Sequence, residues 1–397
     1  MRTKILNFLR VHPKILNMFW KVAHIIFSFA GLFVPIRNKT MLITSFAGRK
    51  FDDSPKAIYD EVISRKEFLE WELIWAFVEP DKFDIPRGRK IKIDTFQFFA
   101  ALLYSKVWVS NSGMDRNIDI NRKKTIKIET WHGTPLKKIG EDQNGGVLGN
   151  YEEHGPVDKR TIRCAQSEFD RDIFVRVFNA DKKCFLMCDL PRNDGLLRYC
   201  PNDLRRIKES LGIPYDKKVL LYMPTYREFL VDELNQTYIA PPIDLKRWRK
   251  ELGQEYVLLF RAHYAICASL NIVKNQFVID VSDYPRINDL YAIADILISD
   301  YSSAYFDYSI LDKPMLCFAY DKDEYMEKRG LYLDLNEALP CPIDSDESSL
   351  IMHIKNMDFE KSTKDARSFH LKYAPYAGNA SKTVVDELIR KLETGKE

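Results

Sequence analysis

Apolar segments of strand length alternate with amphipathic segments of helix length over most of this chain. Lys218–Met223 and Tyr256–Phe260 are nearly continuous apolar runs, which is typical of strands buried on both faces of a parallel sheet. Parallel strands that alternate with helices need crossover connections, so the pattern predicts an α/β chain. Because 397 residues suffice for two domains of ordinary size, we expect two Rossmann-like domains that face each other.

The predicted elements fall into two sets, of which the second begins near residue 185, and the two domains are expected to be joined within residues 185–215. The first set has strands at Met41–Phe46, Leu73–Phe77, Val107–Ser110 and Thr125–Trp131, and helices at Pro55–Leu69, Phe96–Ser105 and Ser167–Phe178. The second set has strands at Lys218–Met223, Tyr256–Phe260, Phe277–Val281, Ile296–Ser299 and Met315–Phe318, with a helix at Ile287–Ala294. A helical pattern at Ala380–Lys391 is expected to pack back across the junction between the domains.

The first part of the chain is basic and apolar. No acidic residue occurs between Met1 and Phe51, and the apolar runs Ile15–Phe19 and Val22–Ile36 are interrupted by Lys21 and His24. These runs are short for a spanning helix, which needs about 20 apolar residues. They favour a helix or helix pair in the headgroup layer of an anionic membrane, on the cytoplasmic face as a peripheral protein. A core-packing helix with a solvated basic face is the alternative that the pattern leaves open.

Composition excludes several classes of protein. The net charge of +3 is too small to indicate nucleic-acid binding. Seven cysteines form no CxxC pair and no cluster with zinc spacing, which fits a reducing cytoplasm rather than a disulfide framework. Sequence patterns for a dinucleotide fold, a P-loop, a zinc protease or a serine hydrolase are also absent.

His132 follows the predicted strand at Thr125–Trp131, and Gly133-Thr134-Pro135 then forces a turn. A neutral imidazole at a strand end can accept a hydroxyl proton near physiological pH. Lys137 and Lys138, one turn further on, are candidates for holding an anionic acceptor. A structural hydrogen-bonding histidine is the alternative on this segment alone.

A second polar block, Asp300-Tyr301-Ser302-Ser303, follows the strand Ile296–Ser299 and opens a predicted helix. Ser302 and Ser303 at a helix start suit phosphate binding, because free backbone amides and the positive end of the helix dipole meet there. Capping of the helix by serine is compatible with the same role. Asp300, and Asp307 one turn into the helix, could bind polyol hydroxyls.

Three cationic or potentially cationic residues end strands of the second set. Arg227 follows Pro224-Thr225-Tyr226, and Arg261 and His263 end the next strand. Because the ends of adjacent parallel strands meet at one rim, these side chains are expected to converge on a phosphate. Asp52 and Asp53 are interpreted as solvated loop carboxylates before Pro55, and no metal site is predicted.

Several of these blocks occur together and in a fixed order that resembles one family. They are Trp-His-Gly-Thr-Pro-Leu-Lys-Lys at 131–138, Pro-Arg-Asn-Asp at 191–194, Pro-Thr-Tyr-Arg at 224–227, Arg-Ala-His at 261–263, Ser-Asp-Tyr-Ser-Ser at 299–303 and Phe-Asp-Tyr at 306–308. Ser-Phe-Ala-Gly at 45–48 and Asp-Ser-Pro-Lys-Ala-Ile-Tyr at 53–59 precede them. The chain thus resembles the CDP-glycerol glycerophosphotransferase family, the primases and polymerases of teichoic acids and related capsules.

The resemblance implies a GT-B architecture with its active site between the two domains. Together with the charge and element patterns, it predicts a basic membrane-associating leader at 1–38, an acceptor domain at 39–190, a CDP-donor domain at 191–378 and a C-terminal helix at 379–397. It also implies a CDP-glycerol or CDP-ribitol donor and a lipid-linked saccharide or polyol-phosphate acceptor. The implied catalytic pair is His132 and His263. The implied donor ligands are Thr225, Arg227, Arg261, Asp300, Ser302, Ser303 and Asp307.

Two other functions share features with this sequence. A GT-B nucleotide-sugar glycosyltransferase would have the same architecture, and a membrane-associated assembly subunit would bind nucleotide without turnover. The choice between glycerol and ribitol stays open, as do primase against polymerase activity, the polymer and the oligomeric state. No cofactor is implied with certainty, and a Mg²⁺ ion held mainly by the donor pyrophosphate would need few protein groups.

Overall fold

The computed structural model describes residues 13–114, 124–144, 160–225, 227, 241–262 and 276–394. Its strands are β1 Arg37–Thr44, β2 Glu72–Phe77, β3 Arg89–Lys92, β4 Ser105–Ser110, β5 Ile126–Glu129, β6 Thr161–Ala165, β7 Phe185–Met187, β8 Lys218–Tyr222, β9 Tyr256–Phe260, β10 Val278–Asp280, β11 Ile296–Ser299, β12 Met315–Phe318 and β13 Ile343–Asp344. Its α-helices are α1 Pro13–Phe33, α2 Asp53–Ser64, α3 Phe96–Tyr104, α4 Glu168–Val177, α5 Pro201–Ser210, α6 Leu245–Leu252, α7 Ile287–Ile293, α8 Ala304–Ser309, α9 Lys322–Lys328, α10 Leu335–Ala338, α11 Glu347–Lys355, α12 Phe359–Tyr373 and α13 Ala380–Thr394.

The strands form two parallel sheets, as the alternating pattern predicts. The seven-stranded sheet has the order β3-β2-β1-β4-β5-β6-β7, and the six-stranded sheet has the order β10-β9-β8-β11-β12-β13. Each order reverses direction once, between β1 and β4 in the first sheet and between β8 and β11 in the second. Loops diverge at such a switch point and leave a crevice at the carboxyl ends of the strands, where α/β sheets bind ligands.

A polar side chain spans each switch point. Asn111, directly after β4, accepts a hydrogen bond at Oδ1 from the backbone N–H of Phe46 after β1, at 2.8 Å. Asp300, directly after β11, accepts one from the backbone N–H of Thr225 after β8, at 2.9 Å. Both residues are almost fully buried. The two sheets therefore hold the loops around their crevices in the same way.

The first sheet ends at Met187 and the second begins at Lys218, with a junction segment of 3₁₀ turns at Pro191–Arg198 between them. Asp194 of this segment accepts the backbone N–H groups of Ala380 and Ser381, each at 2.7 Å, and so caps α13. Helix α13 then packs into the apolar core of the first sheet. The predicted return of the C-terminal helix across the junction is confirmed, while domain limits at 38, 190 and 378 stay predictions.

Helix α1 packs against the first domain near its C-terminal end. Phe27, Ala30 and Val34 contact the core next to α3, and the rings of Phe27 and Phe99 lie 5.0 Å apart. The exposed large apolar side chains of α1 are Met18, Val22, Ile25, Ile26, Phe29, Leu32 and Phe33. Among the helices of the described residues, none combines the length and the apolar character needed to cross a membrane. The first part of the predicted leader, residues 1–12, lies outside the described residues.

Candidate active site

The two blocks at His132 and Ser303 meet across the domain junction. A Cβ atom placed on Gly133 would lie 2.7 Å from Oγ of Ser303 and 3.3 Å from Nη2 of Arg192. Only a residue without a side chain fits so close an approach, and the φ of Gly133, 143°, also favours glycine. The carboxyl edges of the two sheets are thus in contact at the predicted site.

His132 is turned into this junction by the left-handed backbone conformation of the preceding residue, Trp131. β5 ends at Glu129, earlier than the predicted Trp131, because Trp131 adopts a φ of 57° and ends the extended backbone. Nδ1 of His132 then lies 2.9 Å from the backbone carbonyl oxygen of Asn111. A carbonyl oxygen can only accept a hydrogen bond, so Nδ1 carries the proton and Nε2 has the free lone pair. No hydrogen bond joins Nε2 to another described residue.

The surroundings of His132 favour its neutral form. Burial lowers the pKa of the imidazole, and Arg192 and Lys137 lower it further, while the hydrogen bond to Asn111 and the carboxylate of Asp53 act in the opposite direction. The ring stacks on Trp131, with centroids 4.2 Å apart. A neutral imidazole with a fixed tautomer and a free Nε2 is suited to accept a proton.

The position of Asp53 contradicts its interpretation from the sequence as a solvated carboxylate. Its side chain is only 6% exposed and its Oδ2 lies 2.9 Å from Nη1 of Arg192, so it is not a solvated loop carboxylate. Its backbone has a φ of 64°, and Oδ1 accepts the N–H of Ser54 at 2.7 Å. The interpretation is wrong for Asp53 because a partner 139 positions away in the chain neutralises a group that looks solvent-facing locally.

Asp307 is held by the same junction segment. It forms an ion pair with Arg192 and accepts a hydrogen bond from Nδ2 of Asn193 at 2.9 Å. Asn193 also donates to Asp189, at 3.2 Å. Burial raises the pKa of Asp189 to about 8, with a further contribution from Asp307. The side chain of Asp307 is 6% exposed, and contact between it and a polyol stays a prediction.

Arg227 has its charge compensated within the second domain. Its guanidinium lies 2.9 Å from Asp300 and 2.7 Å from Asp321, and its side chain is 3% exposed. The rings of Tyr301, Tyr320 and Tyr325 surround it at 4.9, 5.3 and 5.2 Å. This geometry makes Arg227 a support for the loops at the second switch point. Contact between Arg227 and a donor phosphate stays a prediction that the pairing does not favour.

Arg261 differs from Arg227 in its partners. Its Nη1 donates to the backbone carbonyl oxygens of Val281 and Tyr284, both at 2.8 Å. Among the described residues it forms no ion pair with a carboxylate, and burial lowers its pKa. Because these partners are neutral carbonyl groups, the positive charge of the half-buried guanidinium is available to bind an anion.

The serines at the start of α8 have different contacts. Oγ of Ser302 accepts the backbone N–H of Ala304 at 3.1 Å, whereas the side chain of Ser303 makes no capping hydrogen bond. The hydroxyl of Thr225, at the neighbouring strand end, is buried without a hydrogen-bond partner among the described residues. Phosphate contacts by these groups stay predictions.

Lys137 and Lys138 form part of a backbone connection between the domains. Lys137 pairs with Leu331 in an isolated antiparallel bridge, and the N–H of Lys138 donates to the carbonyl oxygen of Gly330 at 3.1 Å. Nζ of Lys138 donates to Oδ1 of Asn144 at 3.3 Å. Their predicted contact with an acceptor is untested by this geometry.

His263 lies outside the described residues, so its predicted role as the second catalytic histidine stays a prediction. Within the part of the chain that the structure describes, no group of three or more His, Cys, Asp or Glu side chains is arranged to hold a metal ion. Sequence reasoning identified His132 but not its partners Asn111, Asp53 and Arg192. Two of these missed residues, Asp53 and Arg192, stand within the motif blocks quoted above.

Known proteins are similar to this chain in fold and in sequence. A sequence profile of CDP-Glycerol:Poly(glycerophosphate) glycerophosphotransferases matches residues 26–390. The chain belongs to this family. Its assignment to the glycerophosphotransferases, and thus to the transferase enzymes, agrees with the resemblance drawn from the motifs.

Two curated relatives of this glycerophosphotransferase family member are teichoic acid poly(glycerol phosphate) polymerases. The one from Staphylococcus epidermidis is 35% identical over 337 residues, which cover 81% of this chain and 46% of that protein. The one from Bacillus spizizenii is 30% identical over 402 residues, which cover 98% of this chain and 100% of that protein. The chain therefore spans about half the length of the first and the whole length of the second. Relatives at 26% to 30% identity include ribitol-phosphate polymerases and a ribitol-phosphate primase.

The solved structure of the wall teichoic acid polymerase TagF superposes with a TM-score of 0.82 at 30% identity, covering 100% of both chains. A histidine-to-asparagine variant of that polymerase soaked with CDPG superposes with a TM-score of 0.81 at 29% identity. The two facing parallel sheets of this glycerophosphotransferase therefore form a GT-B fold, as predicted.

Proposed function

We propose that this enzyme transfers glycerol phosphate or ribitol phosphate from a CDP-polyol to a hydroxyl group of a membrane-linked acceptor, with release of CMP. The observation that carries the proposal is the geometry of His132 at the junction of the two GT-B domains. Its Nδ1 is committed to Asn111 at 2.9 Å, and the next residue, Gly133, lies against Ser303 of the second domain. Membership of the glycerophosphotransferase family supports the same reaction.

In the proposed reaction, Nε2 of His132 accepts the proton of the acceptor hydroxyl. The hydroxyl oxygen forms a bond to the β-phosphorus of the donor, which carries the polyol, and the bond from that phosphorus to the oxygen bridging to CMP breaks. CMP leaves with the electron pair, in line with the attacking oxygen. The proton remains on the imidazole until it exchanges with solvent.

Charge on the pyrophosphate needs stabilisation by groups on the donor side of the junction. We assign this role first to Arg261, because no carboxylate among the described residues pairs with it. Ser302, Ser303 and the start of α8 are the further candidates, together with His263. Arg227 and Asp300 would support these groups indirectly, by holding Thr225 in place.

The choice between the two donors rests on the relatives. The two polymerases reported above at 35% and 30% identity have glycerol-phosphate names, whereas the ribitol-phosphate relatives are 26% to 30% identical. CDP-glycerol is therefore the donor to test first, with CDP-ribitol beside it. A lipid-linked saccharide or polyol-phosphate chain would be the acceptor.

Attachment to the cytoplasmic face of an anionic membrane would bring the enzyme to a lipid-linked acceptor. The exposed apolar side of α1, including Ile25, Phe29 and Leu32 at 64%, 63% and 79% exposure, supports insertion into the headgroup layer. The absence of acidic residues from Met1 to Phe51 supports attraction to anionic lipids. A double Ile25→Ser, Phe29→Ser variant should shift from sedimenting vesicles to the supernatant, with Phe96→Ser, an exposed apolar change on α3, as the control.

The proposed reaction is tested by the mass that the acceptor gains. Incubation with CDP-glycerol and a lipid-linked saccharide should add one or more glycerol-phosphate units and release one CMP per unit. A gain of the ribitol-phosphate mass from CDP-ribitol would assign the other polyol. Addition of a sugar from a nucleotide sugar, or binding of CDP-glycerol without release of CMP, would contradict the proposal.

A further inference from the structure

Arg192, in the junction segment, contacts three parts of the site at once. Nη1 donates to the backbone carbonyl oxygen of His132 and to Oδ2 of Asp53, both at 2.9 Å. Nη2 donates to Asp307 of α8. Its side chain is 12% exposed, so these contacts are shielded from water and salt.

The backbone of Arg192 is fixed as firmly as its side chain. Its carbonyl oxygen accepts Nδ2 of Asn288 at 2.7 Å, from the start of α7. Its N–H donates to Oγ of Ser54 at 3.4 Å, from α2. The residue therefore ties the loop of His132 to elements of both domains, and a small displacement of Arg192 would move the histidine relative to the donor side.

The charges around His132 depend on Arg192. Among the described residues, the charged groups that act most strongly on the imidazole are Asp53 from α2, Arg192 itself and Lys137 from the following loop. Arg192 in turn faces Asp53 and Asp307. Asp53 alone would stabilise a protonated imidazole, and the guanidinium compensates its charge.

We propose that Arg192 is the residue that positions His132 for proton transfer and keeps it unprotonated, by compensating the charge of Asp53 and by holding the His132 carbonyl against the donor domain. The role deepens the proposed function and rests on it. Arg192 acts through His132 and is not itself a group that touches the reacting atoms.

Different variants of Arg192 test the two parts of this role, charge compensation and positioning of His132. Arg192→Gln removes the charge and leaves Asp53 uncompensated, so the pKa of His132 rises and the acidic limb of the kcat/KM profile moves to higher pH by about one unit. Arg192→Lys keeps a charge but loses the planar fork. It should leave the acidic limb in place and lower kcat by roughly tenfold, with little change in the KM for donor.

Asp53→Asn provides a test that does not remove the arginine. With the carboxylate gone and Arg192 retained, the pKa of His132 should fall, so the acidic limb moves to lower pH. This opposite shift distinguishes an electrostatic role from general damage to the fold. Arg390→Gln, which removes a surface arginine paired with Glu387 on α13, is the matched control and should leave the profile unchanged.

Titration of the His132 ring by NMR in the ligand-free protein measures the same shifts without turnover, with the resonance assigned by its loss in His132→Asn. Shifts up in Arg192→Gln and down in Asp53→Asn are the expected result. Equal values in all variants would overturn the inference, even if the unaltered enzyme released CMP normally. Absence of CMP release from the unaltered enzyme, with the NMR shifts present, would instead overturn the proposed function.

Discussion

Nδ1 of His132 lies 2.9 Å from the backbone carbonyl oxygen of Asn111, the first residue after β4. Asn111 also spans the switch point of the first sheet through its contact with Phe46. The orientation of the imidazole ring is therefore set by a backbone carbonyl group, while the guanidinium of Arg192 holds the backbone of the same residue. Because a carbonyl group does not titrate, this contact orients the ring over the whole pH range in which the enzyme folds.

This arrangement predicts the pH dependence of the reaction. Burial lowers the pKa of His132 below its ordinary 6.5, so the neutral, active form persists to lower pH. We expect kcat/KM to rise with pH through a midpoint below 6.5 and then to level off. His370→Asn, which removes an imidazole of α12 that pairs with Asp312, should leave that midpoint unchanged. A midpoint at or above 7 would contradict the assignment of His132 as the base.

Gly133→Ala should disturb the contact between the domains. The added Cβ would lie 2.7 Å from Oγ of Ser303 at a φ that side chains rarely adopt, at a cost of roughly 1–3 kcal/mol. We expect a loss of CMP release of tenfold or more, measured beside the unfolding midpoint in denaturant.

Gly212→Ala is the control for Gly133→Ala. Gly212 also has a positive φ, 70°, but a Cβ there would meet nothing within 4 Å. It should lower stability by about 1 kcal/mol and leave turnover unchanged. Equal losses of activity in the two variants would show that strain alone, and not the contact with Ser303, explains the effect.

Arg227 and Arg261 should respond differently to replacement by glutamine. Arg227→Gln leaves Asp300 and Asp321 buried without their partner, which should lower the free energy of unfolding by roughly 3–5 kcal/mol. Arg261→Gln breaks no ion pair among the described residues and should raise the KM for the CDP-polyol by roughly 10- to 100-fold. Denaturant unfolding and donor titration measure both variants. If the Arg227→Gln protein were stable but had lost its affinity for the donor, Arg227 would be a ligand of the donor phosphate rather than a structural support.

Asp189 should make stability depend on pH. Burial raises the pKa of this carboxyl from 3.8 to about 8, so the folded state holds a proton that the unfolded chain loses. The free energy of unfolding contributed by Asp189 is then full below about pH 4 and falls as pH rises through about 8. Asp189→Asn should flatten this decline between about pH 4 and pH 8, as measured by urea unfolding. An unchanged slope would mean that Asp189 is ionised in the folded protein.

The sequence allowed prediction of the sheets because their strands are buried on both faces and therefore continuously apolar, as in Lys218–Met223 and Tyr256–Phe260. It also located His132 and Ser303, since both lie in the short loops that follow the ends of β5 and β11. Ends of elements were less predictable. The helix expected at Pro55–Leu69 ends at Ser64, and Trp131 leaves the strand because of its left-handed backbone.

The contacts between the residues of the site could not be predicted from local sequence patterns. Arg192 meets Asp53 across 139 positions and Asp307 across 115, and no periodicity relates residues so far apart. The signal that remained was their presence in blocks of fixed order, Asp-Ser-Pro and Pro-Arg-Asn-Asp. A polar residue directly after a strand, as Asn111 is, offered a second signal.

The most direct test of the account is CMP release from CDP-glycerol and CDP-ribitol, with a lipid-linked acceptor, by the unaltered enzyme and by His132→Ala. We predict release from one donor by the unaltered enzyme and a loss of about 10²- to 10⁴-fold in the variant, with the affinity for CDP-polyol nearly unchanged in equilibrium titration. Near-normal CMP release by His132→Ala would contradict the central claim that this histidine is the base.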